Sequence, residues 1–134
     1  MLVIANRTID SPELRDALLA RATRGLIDVT LLAPSSHEPG SESDARTATA
    51  QRLTDAVQSL RDSGLTVEGV QGDRDPMLAL DEMWNPRKFD EVIVVTLPEA
   101  ASRWLAADLP RRVERLTGVP VTHVVAKTRR GVSA

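Results

Sequence analysis

Apolar residues occur along this chain in two patterns, short unbroken runs and longer stretches at helical spacing. The clearest run is 92–95, Val-Ile-Val-Val, which follows Asp90-Glu91 and ends at Thr96. A short apolar run without polar interruption is typical of a strand buried on both faces, as in the middle of a parallel sheet. Residues 2–5 have the same character, and 28–33 are apolar apart from Asp28 and Thr30. These three runs are therefore predicted to be the central strands.

Two further segments predict strands at the edges of the sheet. Residues 65–70 alternate apolar and polar side chains, as expected of a strand with one face partly exposed. Residues 119–125 contain Pro120, and proline favours an edge because it cannot donate to a hydrogen-bond ladder.

Helical spacing predicts helices between these strands. Ser11-Pro12 and Asp75-Pro76 are N-cap residues followed by proline at the first helical position. A longer helix is predicted to end near residue 63, before Gly64. The pattern after Pro98 is interrupted at Pro110, which predicts a short helix, a bend and a second helix ending at Gly118. Residues 34–44 are polar and rich in serine, so we predict an exposed loop there.

The regular alternation of strands and helices predicts an α/β fold, a Rossmann-like three-layer α/β/α domain with a five-stranded parallel sheet. Placing the apolar strands in the centre gives the order 3-2-1-4-5. The domain is predicted to span residues 1–126, with 127–134 as a disordered basic tail. Ligands of such sheets bind at the carboxyl ends of the strands where the strand order reverses. Asn6, Arg7, Ala33 and Thr96 are therefore the candidate cleft residues.

Composition limits the class of protein. A length of 134 residues with 42% hydrophobic and 27% charged residues is typical of one globular domain. The absence of cysteine excludes disulfides and a catalytic thiol. No apolar run is long enough to span a bilayer, and residues 1–7 lack the features of a signal peptide. We expect a cytoplasmic protein that does not bind membranes.

Charge is unevenly distributed. Residues 103–130 carry seven basic and two acidic side chains, whereas the rest carries ten basic and seventeen acidic ones. This basic segment contains the candidate contacts for a protein partner or an anion, Arg103, Trp104, Arg111, Arg112 and Arg115. The alternatives are a solvated helix face and a tryptophan packed under the sheet. Three aromatic residues are too few to stack single-stranded nucleic acid, so we expect no nucleic-acid partner.

No residue constellation indicates catalysis or metal binding. The chain has two histidines, His37 in the predicted loop and His123 on the last strand, where a structural or subunit contact is the expected role. The Gly-x-Ser-x-Gly, Gly-x-Gly-x-x-Gly and Walker A patterns are absent. Asp73-Arg74-Asp75 could be read as an acid/base or Mg²⁺ site, but a helix cap is the favoured interpretation.

Several stretches resemble the universal stress protein family. They are Leu31-Leu32, Gly72-Asp73, residues 75–80, Phe89-Asp90 with the run to Val95, and Arg112-Val113 leading to Val119-Pro120-Val121. The resemblance covers nearly the whole chain. It implies a Rossmann-like domain that forms a homodimer through its last strand, here Val121, His123 and Val125. In one subgroup of that family it also implies bound ATP or AMP.

The nucleotide-binding subgroup has a glycine-rich loop that this sequence lacks. The three glycines and the following hydroxyl residue of that loop correspond to Val94, Leu97, Ala107 and Asp108. The family's acidic residue after the first strand corresponds to Asn6. Glycines allow backbone amides to approach phosphate, whereas Asp108 would repel it by about 4 kcal/mol at 4 Å.

Thr96-Leu97-Pro98-Glu99 predicts a capping box, with the Thr96 hydroxyl on the first amides of the following helix. Such a cap would occupy the helix end that could otherwise bind an anion. We therefore expect no tight ATP binding and no cofactor.

The sequence favours a non-catalytic, homodimeric regulatory or interaction module. The alternative is a small-molecule or nucleotide sensor that uses the cleft, including Asp108.

Overall fold

The computed structural model describes residues 1–35, 42–98, 104 and 108–127. The strands in these ranges are β1 (Leu2–Ile4), β2 (Asp28–Pro34), β3 (Thr66–Gly72), β4 (Val92–Thr96) and β5 (Val121–Val125). The helices are α1 (Pro12–Ala22), α2 (Glu42–Asp62), α3 (Pro76–Met83) and α4 (Leu109–Thr117).

The strands form one parallel sheet in the order β3-β2-β1-β4-β5, which confirms the predicted order. Val3 of β1 lies opposite Leu31 of β2 and Ile93 of β4. Every residue of β1 and β4 is buried, as their unbroken apolar runs predict. β3 and β5 lie at the two edges of the sheet.

Alternate side chains of the central strands pack on opposite faces of the sheet. Val3 belongs to the apolar cluster that contains Leu14 of α1 and Leu53 of α2. Leu2 and Ile4 belong to the cluster formed with α3 and α4. The helices therefore cover the sheet on both sides, and the fold is a three-layer, Rossmann-like α/β/α arrangement.

The predicted caps form at the predicted residues. The Ser11 hydroxyl accepts a hydrogen bond of 3.2 Å from the Leu14 N–H, and Pro12 is the first residue of α1. The Asp75 carboxylate accepts one of 2.9 Å from the Met77 N–H, and the Asp73 carboxylate accepts one of the same length from the Asp75 N–H. These two acids therefore cap α3, as the favoured interpretation predicts.

Some element bounds differ from the predicted ones. β3 ends at Gly72 and not at residue 70, because pairing with β2 continues to Pro34 opposite Gly72. α2 begins at Glu42, inside the predicted loop 34–44. β5 begins at Val121, although the Pro120 carbonyl still accepts from the Val92 N–H.

Three predictions concern residues outside the ranges that the structure describes. The remainder of the predicted loop, with His37, lies outside the described residues. So do 128–134 of the predicted tail and the predicted short helix after Pro98, apart from Trp104.

Among the helices described, none has the length and apolar character needed to cross a membrane.

Gly72 is a point of close approach between the sheet and α3. A Cβ built on Gly72 would lie 2.6 Å from the Cβ of Ala79 and 3.0 Å from Cδ1 of Leu32. Ala79 is 2% exposed and lies in the second turn of a helix, so it cannot rotate away. The absence of a side chain at residue 72 therefore sets the distance between β3 and α3.

We expect Gly72→Ala to destabilise the domain by about 1–3 kcal/mol, because the added methyl group overpacks this contact. Urea unfolding followed by circular dichroism measures the change. Leu26→Ser is the control, since Leu26 is fully exposed and its replacement is expected to change stability by less than about 0.5 kcal/mol. Equal stability of Gly72→Ala and the parent protein would contradict the close contact.

Candidate functional site

The carboxyl ends of β1, β2 and β4 form the predicted ligand-binding edge of the sheet. The segment that follows β1 contains Asn6, Arg7 and Thr8. Asn6 is 8% exposed and Thr8 is 5% exposed, whereas Arg7 points to solvent. The buried polar side chains at this edge need hydrogen-bond partners, since an unpaired buried polar group is costly.

Asn6 has partners on β2 and α2. Its Nδ2 donates to the carbonyl oxygen of Pro34. Its Oδ1 accepts from Arg52, which donates Nη2 at 2.8 Å and Nε at 3.3 Å. The guanidinium is half-buried over the end of β1 and also lies 3.5 Å from the Thr49 hydroxyl. Asn6 thus links the ends of β1 and β2 to α2.

Thr8 bridges the point where the strand order reverses. Its hydroxyl donates a hydrogen bond of 3.2 Å to the carbonyl oxygen of Val95, in β4. The loop after β1 is therefore attached to β4, directly across the crevice in which ligands of open α/β sheets bind.

The hydroxyl of Thr96 bonds to a side chain on the neighbouring strand. It shares a hydrogen bond of 2.7 Å with Nε2 of His123 on β5, and the tautomer of the ring decides which group donates. Thr96 is the last residue of β4 and lies beside β5, where the imidazole is within reach. The predicted capping box falls on the amides after Pro98 and on Glu99, which lie outside the described residues.

The structure brings some of the predicted cleft residues together. Asn6, Ala33 and Thr96 are buried at the carboxyl ends of neighbouring strands. Arg7 lies beside them but is exposed, and Asp108 is exposed at the start of α4. Arg52 was missed by the sequence reasoning. An arginine on an otherwise amphipathic helix gives no signal that it reaches a residue forty-six positions away.

Asp108 has an unusual backbone conformation. Its φ of 55° and ψ of 42° are left-handed, and its side chain makes no cap hydrogen bond to α4. Its carboxylate lies 3.8 Å from Nε of Arg111 in an exposed ion pair. A negative side chain therefore stands at the start of α4, where the resemblance would place a phosphate-binding hydroxyl.

The predicted basic surface is described only in part. Arg111, Arg112 and Arg115 are exposed on α4, whereas Arg103 lies outside the described residues. Trp104 is half-buried and packs against the apolar cluster beneath α3 and α4. This contact favours the packing interpretation of the tryptophan over the interface one.

The outer side of β5 carries unpaired backbone groups. The Pro120 carbonyl and the Ala126 N–H bond to β4. Because main-chain groups alternate in direction along a strand, those of Val121, His123 and Val125 point away from the sheet. In the described part of the chain these outward groups have no hydrogen-bond partner.

On the opposite edge, β3, a side chain bonds to one outward main-chain group and charged side chains lie next to it. The Ser35 N–H bonds to the Gly72 carbonyl, so by the same alternation the carbonyl of Val67 points outward. That carbonyl accepts a hydrogen bond of 2.9 Å from Nε of Arg61 on α2. Next to it, Lys88 and Glu68 form an exposed ion pair with an N–O distance of 2.7 Å. Charged side chains at an edge oppose pairing with another chain.

His123 is exposed on β5, and partial burial of its ring lowers its pKa below the ordinary value. Within the described ranges, no group of three or more histidine, aspartate or glutamate side chains is arranged to hold a metal ion.

Comparison of the chain with models of known protein families gives no match, and comparison with curated proteins gives none either. The resemblance to universal stress proteins therefore stays a prediction.

We expect Asn6→Ala to destabilise the domain by about 1–3 kcal/mol, because the Pro34 carbonyl and the half-buried Arg52 lose a partner. Thermal unfolding measures the effect. The neighbouring Arg7→Ala serves as a matched control, since the Arg7 side chain is exposed and the change should be small. If both variants unfold with the parent's midpoint, the Asn6 contacts do not stabilise the fold.

Proposed function

We propose that this protein is a non-catalytic module of the universal stress protein type that acts as a homodimer and does not bind ATP tightly. Its role is regulation or interaction with another protein, in the cytoplasm. The observation that carries the proposal is the contrast between the two edges of the sheet. At β3 an outward carbonyl bonds to Arg61 and the ion pair of Lys88 and Glu68 lies beside it, whereas in the described part of the chain the outward main-chain groups of β5 have no partner.

Pairing of β5 with a second copy would satisfy these groups. The side chains of β5 suit such a contact, since Val121, Val124 and Val125 are half-buried and none of its residues is acidic, lysine or arginine. The edge also has a defined end. The Lys127 N–H, next in the outward series after Val125, bonds to the Glu13 carboxylate at 2.7 Å. Since β5 begins at Val121, the open part of this edge in the described residues comprises Val121, His123 and Val125.

The contacts at the carboxyl edge support the absence of tight nucleotide binding. Asn6, Thr8 and Thr96 are hydrogen-bonded to protein groups, so a ligand would have to replace these bonds. Asp108 adds a carboxylate at the start of α4. A small-molecule sensor would have to bind beside these contacts or in place of them. Retention of a small molecule through gentle purification, detected by native mass spectrometry, would favour that alternative.

The dimer is tested by light scattering at micromolar concentration. We expect the parent protein to be a dimer and Val125→Pro to be a monomer, because proline removes an outward N–H. The fold should survive, since this N–H is not part of the ladder with β4. Val125→Thr keeps the N–H and the branched side chain, so this control should stay dimeric. A monomeric parent protein, or a dimeric and folded Val125→Pro, would refute pairing through β5.

Nucleotide binding is tested by isothermal titration calorimetry with ATP and Mg²⁺. We expect no saturable binding up to millimolar ATP. Asp108→Ser, which restores a hydroxyl and removes the carboxylate, should also fail to bind, because Val94, Leu97 and Ala107 still stand where glycines would be needed. Micromolar affinity of the parent protein would overturn this part of the proposal.

A further inference from the structure

His123 is the central residue of the open edge. Val121 and Val125, whose main-chain groups also point outward, lie at equal distances along β5 on either side of it. Two copies of this edge can pair antiparallel about a two-fold axis. The main-chain groups of all three residues then form hydrogen bonds to the second copy only when the axis passes beside His123. In that register Val121 pairs with Val125 of the second copy, and His123 pairs with itself.

This register brings the two His123 residues close together. Residues that exchange both main-chain hydrogen bonds have Cα atoms about 5.5 Å apart, and their side chains lie on the same face of the sheet. Each ring is bonded to Thr96 of its own copy at 2.7 Å, so it cannot move far from the seam. The exposed imidazole would also lose contact with water in the dimer. Neutral rings fit this arrangement, whereas two imidazolium rings would repel each other.

Among the described residues, those around His123 do not compensate a positive charge. β4 contributes the uncharged Thr96. α4 packs on the same face as His123 and carries Arg111, Arg112 and Arg115 against Asp108 and Glu114. α1 packs against the other face, where the Glu13 carboxylate accepts from the Lys127 N–H. Protonation would thus add charge beside a helix that already has an excess of arginine.

We propose that the homodimer pairs β5 antiparallel with His123 on the two-fold axis, and that protonation of His123 separates the two copies. This inference rests on the proposed dimer. The direction follows from linkage: if the dimer binds protons more weakly than the free protomer, it is favoured at a pH above the pKa of the histidine. The dimer is then lost as the pH falls.

The dissociation constant is measured by sedimentation equilibrium at about pH 8 and about pH 5.5, on either side of the ordinary histidine pKa. We expect it to rise at least about tenfold at the lower pH, since two charges 5–10 Å apart at a surface repel enough to give this factor. Circular dichroism at both pH values establishes that the protomers stay folded.

Three variants test whether His123 is the group whose protonation separates the two copies. His123→Gln can keep the hydrogen bond to Thr96 without a charge, and it should dimerise equally at both pH values. His123→Lys carries a permanent charge and should be monomeric at both. His37→Gln changes the other histidine of the chain and should behave like the parent protein. If His123→Gln is unfolded, His123→Asn replaces it.

The outcomes separate this inference from the proposed function. A parent dimer whose dissociation constant is the same at both pH values overturns the protonation switch and leaves the dimer standing. Loss of the pH effect in His37→Gln, or its persistence in His123→Gln, also overturns the role of His123. A parent protein that is monomeric at about pH 8 overturns the dimer itself, and the switch with it.

Discussion

β1 joins the two halves of the sheet, although it is only three residues long. Leu2, Val3 and Ile4 pair with β2 on one side and with β4 on the other, and none of the three is exposed to solvent. Main-chain groups in such a position can bond only to neighbouring strands, because water is absent. Both apolar clusters are built on its alternating side chains. The remaining architecture depends on this strand being apolar, central and parallel to both neighbours.

At the carboxyl end of a buried central strand the chain leaves the sheet, and the polar groups buried there need hydrogen-bond partners. Asn6 and Thr8 meet this requirement by bonding to main-chain carbonyls of β2 and β4, and Arg52 completes the set from α2. In related α/β folds this edge is the ligand-binding crevice. Here the same position is occupied by contacts within the protein. These contacts stabilise the fold, and the proposed function requires no bound nucleotide.

The two edges of the sheet differ in the hydrogen-bond partners of their outward main-chain groups. A side chain from α2 bonds to a carbonyl of β3, whereas the outward N–H and C=O groups of β5 have no partner among the described residues and half-buried valines lie beside them. An uncovered edge invites association, and its symmetry about His123 gives the proposed association a specific register. In this proposal His123 has a structural and a regulatory role, since the imidazole bonded to Thr96 is also the group whose charge would decide whether two copies can pair.

The sequence by itself determined the class of fold, the strand order, the edge positions and the helix caps at Ser11 and Asp75, because these follow from local periodicity and from side chains that bond within three residues. It also indicated that the candidate cleft lies at the carboxyl ends of the strands. Only the tertiary structure decided the partners of Asn6, Thr96 and Val67, since Arg52, His123 and Arg61 reach them from separate elements. Hydrogen bonds between separate elements depend on distances and directions that arise only when helices pack on the sheet, and no local pattern encodes them. For the same reason, the sequence did not show that Arg61 of α2 bonds to an outward carbonyl of the edge strand β3.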